Sequence, residues 1–174
     1  MKTLLLLGDS LLEWGDWDEL LPDYVTINRG SAGETVGELA ARLGWEVESI
    51  EEPDYVFVMS GTNNLLMGDR SFPSVFETML PRLKALQPDS VISVISLAPM
   101  SLPWVKGGEI EAVNREIEKI AKTAGCLYLE LAPFFELHCR PVGNPCFMTD
   151  GVHFSPHGYR VLARAMKEHI QSRD

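Results

Sequence analysis

Five short apolar runs, separated by segments in which apolar residues recur at helical spacing, constrain the fold more than any other feature of this sequence. The runs cover residues 3–7, 24–28, 55–60, 91–97 and 126–131. Their nearly continuous hydrophobicity is typical of parallel strands covered by helices on both faces. The alternation predicts a three-layer α/β/α sandwich around a five-stranded parallel sheet, and 174 residues fit a single domain spanning 1–174.

Helix boundaries can be predicted between several of these runs. Thr35 and Glu38 have the spacing of a capping box, and Gly44 is predicted to end the helix that follows. The next helix is predicted to begin at Ser71 and to be kinked by Pro81. The last helix is predicted to open at Ser155 and to bury one apolar face.

Composition limits the partners of the chain. The net charge of −10 would repel nucleic-acid phosphates and anionic lipid headgroups, so nucleic acid is not expected as a partner. No apolar run approaches the roughly 18 residues of a membrane span. The apolar run after Lys2 is too short for a secretory signal, and three cysteines form no CxxC pair. These features predict a soluble cytoplasmic protein, and they leave homo-oligomer formation open.

The predicted topology indicates where a ligand would bind. A flavodoxin-like strand order of 2-1-3-4-5 places strand 1 between strands 2 and 3, and ligands of such sheets bind beyond the carboxyl ends of the strands at this point. The loops that hold Ser10, residues 30–33 and residues 61–64 would then be neighbours. We therefore expect the functional site where these three loops meet.

Two short motifs at opposite ends of the chain supply the parts of a serine hydrolase. Ser10 follows the first apolar run, and Gly8 would permit a tight turn that exposes its hydroxyl. Asp150 and His153 are spaced so that the carboxylate can hold Nδ1 and leave Nε2 to accept the serine proton. Ser10 could instead cap a helix, and His157 is a competing base, although it has no acidic residue at the same spacing.

Two further residues could donate hydrogen bonds to an oxyanion. Gly33 lies just before the capped helix, where its backbone N–H can approach a ligand without hindrance from a Cβ. Asn63 follows the third strand, and its side-chain amide could point into the same cleft. Ordinary turn chemistry would explain either residue alone, but it does not explain both at the ends of successive strands.

These motifs, in this order, resemble those of the SGNH hydrolases, also called the GDSL family of esterases and lipases. The resemblance spans residues 8–157 and implies a triad of Ser10, Asp150 and His153, with the backbone N–H of Ser10 joining Gly33 and Asn63 as oxyanion donors. It also implies hydrolysis of acyl esters without metal or cofactor. The third motif of the family usually reads Gly-x-Asn-Asp, whereas this chain has Asn64 in place of the acid.

The substrate is predicted from the loops around the nucleophile. Apolar side chains there favour a short or hydrophobic acyl group, and acidic residues after Ser10 favour a neutral ester over an anionic one. The substrate-binding residues predicted from these loops are Trp14, Leu65, Met67, Trp104 and Phe147. A lysophospholipase or thioesterase of the same family is an alternative, as is a non-catalytic ligand-binding module.

Two other classes of site find less support in the sequence. Four residues could in principle bind zinc, but their spacing matches no closed zinc pattern, so no metal is predicted: His138, Cys139, Cys146 and His153. A flavodoxin-like phosphate binder would need a GxGxxG or Walker loop, and an α/β-hydrolase would need Gly-x-Ser-x-Gly. The chain contains none of these motifs.

Overall fold

The computed structural model describes residues 1–143 and 145–173 and contains a five-stranded parallel sheet with the order β2-β1-β3-β4-β5. The strands are β1 (Lys2–Gly8), β2 (Tyr24–Gly30), β3 (Tyr55–Met59), β4 (Val91–Ile95) and β5 (Leu127–Leu129). The predicted fold class and strand order are thereby confirmed. All five strands lie within the predicted runs or extend beyond them by one or two residues.

Helices connect the strands and cover the sheet. They are α1 (Ser10–Glu13), α2 (Trp17–Leu20), α3 (Val36–Glu48), α4 (Thr62–Leu66), α5 (Pro73–Leu86), α6 (Glu109–Thr123), α7 (Ala132–His138) and α8 (Pro156–Gln171). Helix α5 packs against α3 and α6, whereas α8 packs against α2 and α7. The sheet thus lies between two helical layers, and β1 contributes a fully buried row, Leu4 to Leu7, to the core.

Two glycines allow the strand ends and the first loop to approach closely. Gly8 lies opposite both Gly30 and Met59 in the sheet, and a Cβ on Gly8 would lie 2.0 Å from the Met59 carbonyl oxygen. A Cβ on Gly30 would lie 2.3 Å from the backbone nitrogen of Glu13. Gly8 is therefore needed for close backbone packing, and it does not adopt the left-handed conformation of a tight turn.

The helix boundaries differ in part from the prediction. The capping box at Thr35 and Glu38 is present, but α3 continues through Gly44 to Glu48. Nη2 of Arg82 lies 2.6 Å from the position that a Cβ on Gly44 would take, and Gly44 lies inside the helix and does not end it. Helix α5 begins two residues after the predicted Ser71 and contains Pro81 in its interior.

A disulfide bond joins Cys139 and Cys146, which the cysteine count did not indicate. The bond connects the end of α7 to the segment before α8, and Cys126 is a buried free cysteine. No helix in the described part of the chain is long and apolar enough to cross a membrane.

Candidate active site

Three side chains from opposite ends of the sequence form a continuous hydrogen-bonded chain. Ser10 Oγ lies 3.1 Å from Nε2 of His153, although 143 positions separate the two residues. His153 Nδ1 lies 2.6 Å from Oδ2 of Asp150. With the proton on Nδ1, the imidazole donates to the carboxylate and accepts from the serine hydroxyl, which is the arrangement that activates a serine nucleophile.

The loop that carries Asp150 and His153 is held by its own backbone. Asp150 Oδ1 accepts hydrogen bonds from the backbone N–H groups of Val152 at 2.9 Å and His153 at 3.0 Å. Partial burial acts to raise the pKa of the Asp150 carboxyl, but the hydrogen bonds from the His153 side chain and from these two N–H groups together lower it below its usual value. Asp150 is therefore ionised at neutral pH and suited to orient the imidazole.

A short β-bridge fixes the same loop to the protein body. The two residues of this antiparallel bridge are Phe147, before the loop, and Phe154, after it. The Met148 backbone N–H also donates to the His153 carbonyl at 2.7 Å. The rings of Phe147 and Phe154 pack with Phe135 of α7. The position of His153 is thus supported by backbone hydrogen bonds and by an aromatic cluster.

Side-chain and backbone hydrogen bonds bring the three predicted loops together. The Ala32 backbone N–H donates to Glu13 Oε2 at 2.8 Å, which links the second loop to α1. Asn63 Nδ2 donates to the Glu34 carbonyl at 2.9 Å, which links the second loop to the third. The predicted convergence of these loops is present in the structure.

The predicted oxyanion donors retain free hydrogen-bonding capacity. In residues 1–143 and 145–173, the backbone N–H groups of Ser10 and Gly33 donate no hydrogen bond. Gly33 has a φ of 79°, and no atom lies within 4 Å of where its Cβ would be, so its surroundings are open. Because an amide nitrogen has two N–H groups, Asn63 can bond Glu34 and still donate to a ligand.

The departure at Asn64 has a structural explanation. This buried side chain accepts a hydrogen bond from the Val36 backbone N–H at 2.9 Å and donates one to Asp69 Oδ2 at 2.9 Å. That hydrogen bond is the largest factor that lowers the pKa of Asp69. A carboxylate could accept from Val36 but could not donate to Asp69, so the amide suits both partners.

Asn64→Asp is expected to destabilise the protein by about 1–3 kcal/mol at pH 8, because two carboxylates would then lie at hydrogen-bond distance. At pH 4.5 the loss should be smaller, because protonation of one carboxyl restores a donor. Urea unfolding at both pH values measures the difference from the native chain. An equal loss at both would contradict this account.

The predicted substrate-binding residues differ in their exposure. Trp14, Met67 and Trp104 are exposed, and Trp14 stacks on His153 with ring centroids 4.3 Å apart. Leu65 is fully buried in the core, so its prediction as a substrate contact is wrong. Phe147 lies half-buried in the aromatic cluster and also lines a separate cavity beside the disulfide.

The remaining histidines have other partners. His157 Nε2 lies 2.9 Å from the backbone carbonyl of His138, so it is held away from the role of base. His169 of α8 is half-buried, and its Nε2 lies 3.0 Å from Ser93 Oγ. Burial lowers the pKa of His169. Cys139 and Cys146 bond to each other, and no group of metal-ligating side chains occurs among the described residues.

Sequence reasoning missed the electrostatic character of Asp9. Its carboxyl is 1% exposed, and Oδ1 accepts from the Leu11 N–H at 3.0 Å while Oδ2 is buried without a hydrogen-bond partner in the described structure. Burial raises the pKa of Asp9 to about 6. The hydrogen bond from the Leu11 N–H acts to lower this pKa, and the negative charge of Glu34 acts to raise it.

Asp9→Asn is expected to change how stability depends on pH. Because the folded pKa is raised, the native chain should lose stability as pH rises from about 4 to about 6, an effect of about 2–3 kcal/mol. The variant should lack this loss, so its stability relative to the native chain should increase by that amount between pH 4 and pH 7.5. Urea unfolding at both pH values provides the measurement. The exposed Asp23→Asn serves as control, and parallel pH dependence in all three proteins would contradict the expectation.

Comparison with known proteins decides the family. A family model described as the GDSL-like lipase/acylhydrolase family matches residues 6–161. The chain belongs to this family. The sequence-based assignment is thereby confirmed, and the GDSL-like chain is a hydrolase of ester bonds.

Individual relatives of this GDSL-like hydrolase are distant in sequence. An acetylxylan esterase of Geobacillus stearothermophilus is 25% identical over 160 residues, which cover 83% of this chain and 71% of the relative. A crystal structure of a lipase/acylhydrolase from Enterococcus faecalis superimposes with a TM-score of 0.79 at 22% identity, covering 99% of this chain and 97% of that one. A structure of an acetylxylan esterase from G. stearothermophilus superimposes with a TM-score of 0.74 at 20% identity, covering 97% and 94%. These structures show that the fold is shared.

Proposed function

We propose that this GDSL-like hydrolase cleaves neutral esters of short acyl groups, with Ser10 as nucleophile, His153 as base and then acid, and Asp150 as the residue that orients His153. The observation that carries this proposal is the hydrogen-bonded chain from Ser10 Oγ through His153 to Asp150. No other described histidine is hydrogen-bonded to Ser10.

The mechanism follows from these contacts. Ser10 Oγ attacks the ester carbonyl carbon while His153 Nε2 accepts its proton. The negative charge that develops on the carbonyl oxygen is stabilised by the backbone N–H groups of Ser10 and Gly33 and by the Asn63 amide. The acyl–oxygen bond then breaks, and His153 donates its proton to the leaving alcohol. Water repeats the sequence on the acyl-enzyme and releases the acid.

Charge and relatives support the choice of substrate. Several acidic side chains lie in the segment after the nucleophile, so an anionic ester would be repelled: Glu13, Asp16, Asp18 and Glu19. The relative named for acetylxylan supports testing acetylated sugars. Whether or not the substrate is an acetylated sugar, we expect the partner to be a small-molecule ester, with no nucleic acid, metal or cofactor.

The test is a panel of esters at fixed enzyme concentration. The panel covers the proposal and its alternatives. It contains p-nitrophenyl esters from acetate to palmitate, acetylated xylose oligomers, a lysophospholipid and an acyl thioester. We expect the highest kcat/KM for acetyl or butyryl esters. Higher kcat/KM for palmitoyl, lysophospholipid or thioester substrates would contradict the short-chain proposal, and binding without turnover would favour a non-catalytic module.

The disulfide bears on the predicted cytoplasmic location. Disulfides are rare in the reducing cytosol, so the bond between Cys139 and Cys146 favours an oxidising compartment over that prediction. In the purified protein, a thiol reagent in denaturant should modify one cysteine, Cys126, and all three cysteines after reduction. Three reactive thiols before reduction, in protein kept under air, would contradict the bond.

A further inference from the structure

A groove of about 450 Å³ lies between the two segments that carry the triad. Trp14 and Leu20 line it from the segment after Ser10, and Met148 and Tyr159 line it from the segments on either side of His153. Leu20 and Tyr159 also pack against the core, whereas Trp14 and Met148 are more than half exposed. A ligand in the groove would therefore contact both catalytic segments.

His153 does not itself line the groove, but two of the lining residues contact it. Trp14 follows Ser10 by one helical turn, with its backbone N–H bonded to the Ser10 carbonyl at 3.1 Å, and its ring stacks on His153. Met148 donates its backbone N–H to the His153 carbonyl. Two walls of the groove are thus in direct contact with the residue that handles the proton.

Ester hydrolysis assigns different parts of the substrate to different sides of this site. The carbonyl oxygen must face Gly33 and Asn63, whereas the leaving oxygen must face His153 Nε2, because it receives the proton that His153 took from Ser10. We propose that the groove binds the alcohol part of the ester, an inference that rests on the proposed function. The acyl group then lies outside the groove.

The lining indicates the class of alcohol. The apolar walls favour a ring-sized group with an apolar face, which a cavity of this volume accommodates. Asp16 and Glu19 line the groove together with Arg160, so the carboxylates exceed the cation by one. An uncharged alcohol is therefore favoured over one that carries a carboxylate or phosphate.

Acetate esters that differ only in the alcohol test this assignment. In the native protein, kcat/KM for 2-phenylethyl acetate should exceed that for ethyl acetate by about 10-fold, from burial of the ring. Met148→Trp should fill the groove and reduce this ratio to about 1–2. The matched control is Leu137→Trp, because Leu137 is also exposed but does not line the groove. The control should keep the native ratio.

A charge variant provides a second measurement that does not depend on filling the groove. Glu19→Gln should raise kcat/KM for 2-(4-carboxyphenyl)ethyl acetate about threefold relative to 2-phenylethyl acetate, because one of two repelling carboxylates is removed. Three outcomes would overturn the assignment: native protein without an alcohol preference, a ratio unchanged in Met148→Trp, or an equal fall in Leu137→Trp. Failure of the proposed function can be told apart from failure of the groove assignment, because the native protein would then hydrolyse neither ethyl acetate nor 2-phenylethyl acetate.

Discussion

Ser10→Ala is expected to lower kcat/KM for p-nitrophenyl acetate by about 10⁴-fold or more, because the triad acts as a unit and loses its nucleophile. Ser10 is the first residue of α1, and Asp9, not Ser10, caps this helix with its side chain. The free energy of unfolding should therefore change by less than about 1 kcal/mol. Steady-state kinetics and urea unfolding on the same preparations measure both quantities.

The control for this variant is Ser74→Ala, which removes an exposed hydroxyl from the first turn of α5. It should keep native kinetics. Residual activity within tenfold of the native value in Ser10→Ala would show that another group performs the attack. A large loss of stability would show that the serine has a structural role, as a helix-capping serine would.

Asn63→Ala is expected to lower kcat by about 10²–10³-fold, the usual effect of removing one oxyanion donor. The loss should appear in kcat more than in KM, because the hydrogen bond strengthens as charge develops on the carbonyl oxygen. Stability should fall by about 1 kcal/mol, since the bond from Asn63 to the Glu34 carbonyl is also lost. Kinetics on p-nitrophenyl acetate with matched unfolding curves provide the measurement.

The neighbouring asparagine offers a matched comparison. Asn64 is buried and bonds Val36 and Asp69, so Asn64→Ala should cost about 1–3 kcal/mol of stability. At a temperature where it remains folded, it should retain kcat within about tenfold of the native value. If the two variants show the same loss of kcat, then Asn63 has no specific role as a donor.

The features predicted correctly from the sequence are those with a local signal. Continuous apolar runs mark parallel strands, because both faces of each strand are buried. The loop convergence could be predicted as well, since strand order in this fold class places the carboxyl ends of β1, β2 and β3 side by side. The spacing of Asp150 and His153 is likewise local, and the structure shows the contact that this spacing allows.

The features that were missed depend on neighbours distant in the sequence. Gly44 has the character of a helix end, yet it lies inside α3, which packs against the later helix α5. Leu65 and Met67 are both apolar and lie two positions apart in the same segment, yet Leu65 is in the core and Met67 is exposed, a difference that only packing decides. The raised pKa of Asp9 similarly arises from burial among elements that the sequence does not place next to it.

Stoichiometric labelling with a fluorophosphonate tests the central claim most directly, because the reagent reacts with serines that a neighbouring base has activated. We expect one label per native chain, located by mass spectrometry on the peptide that contains Ser10. Ser10→Ala should take up none, and His153→Ala should react far more slowly. An unlabelled native protein, or a label on a different serine, would contradict the proposed active site.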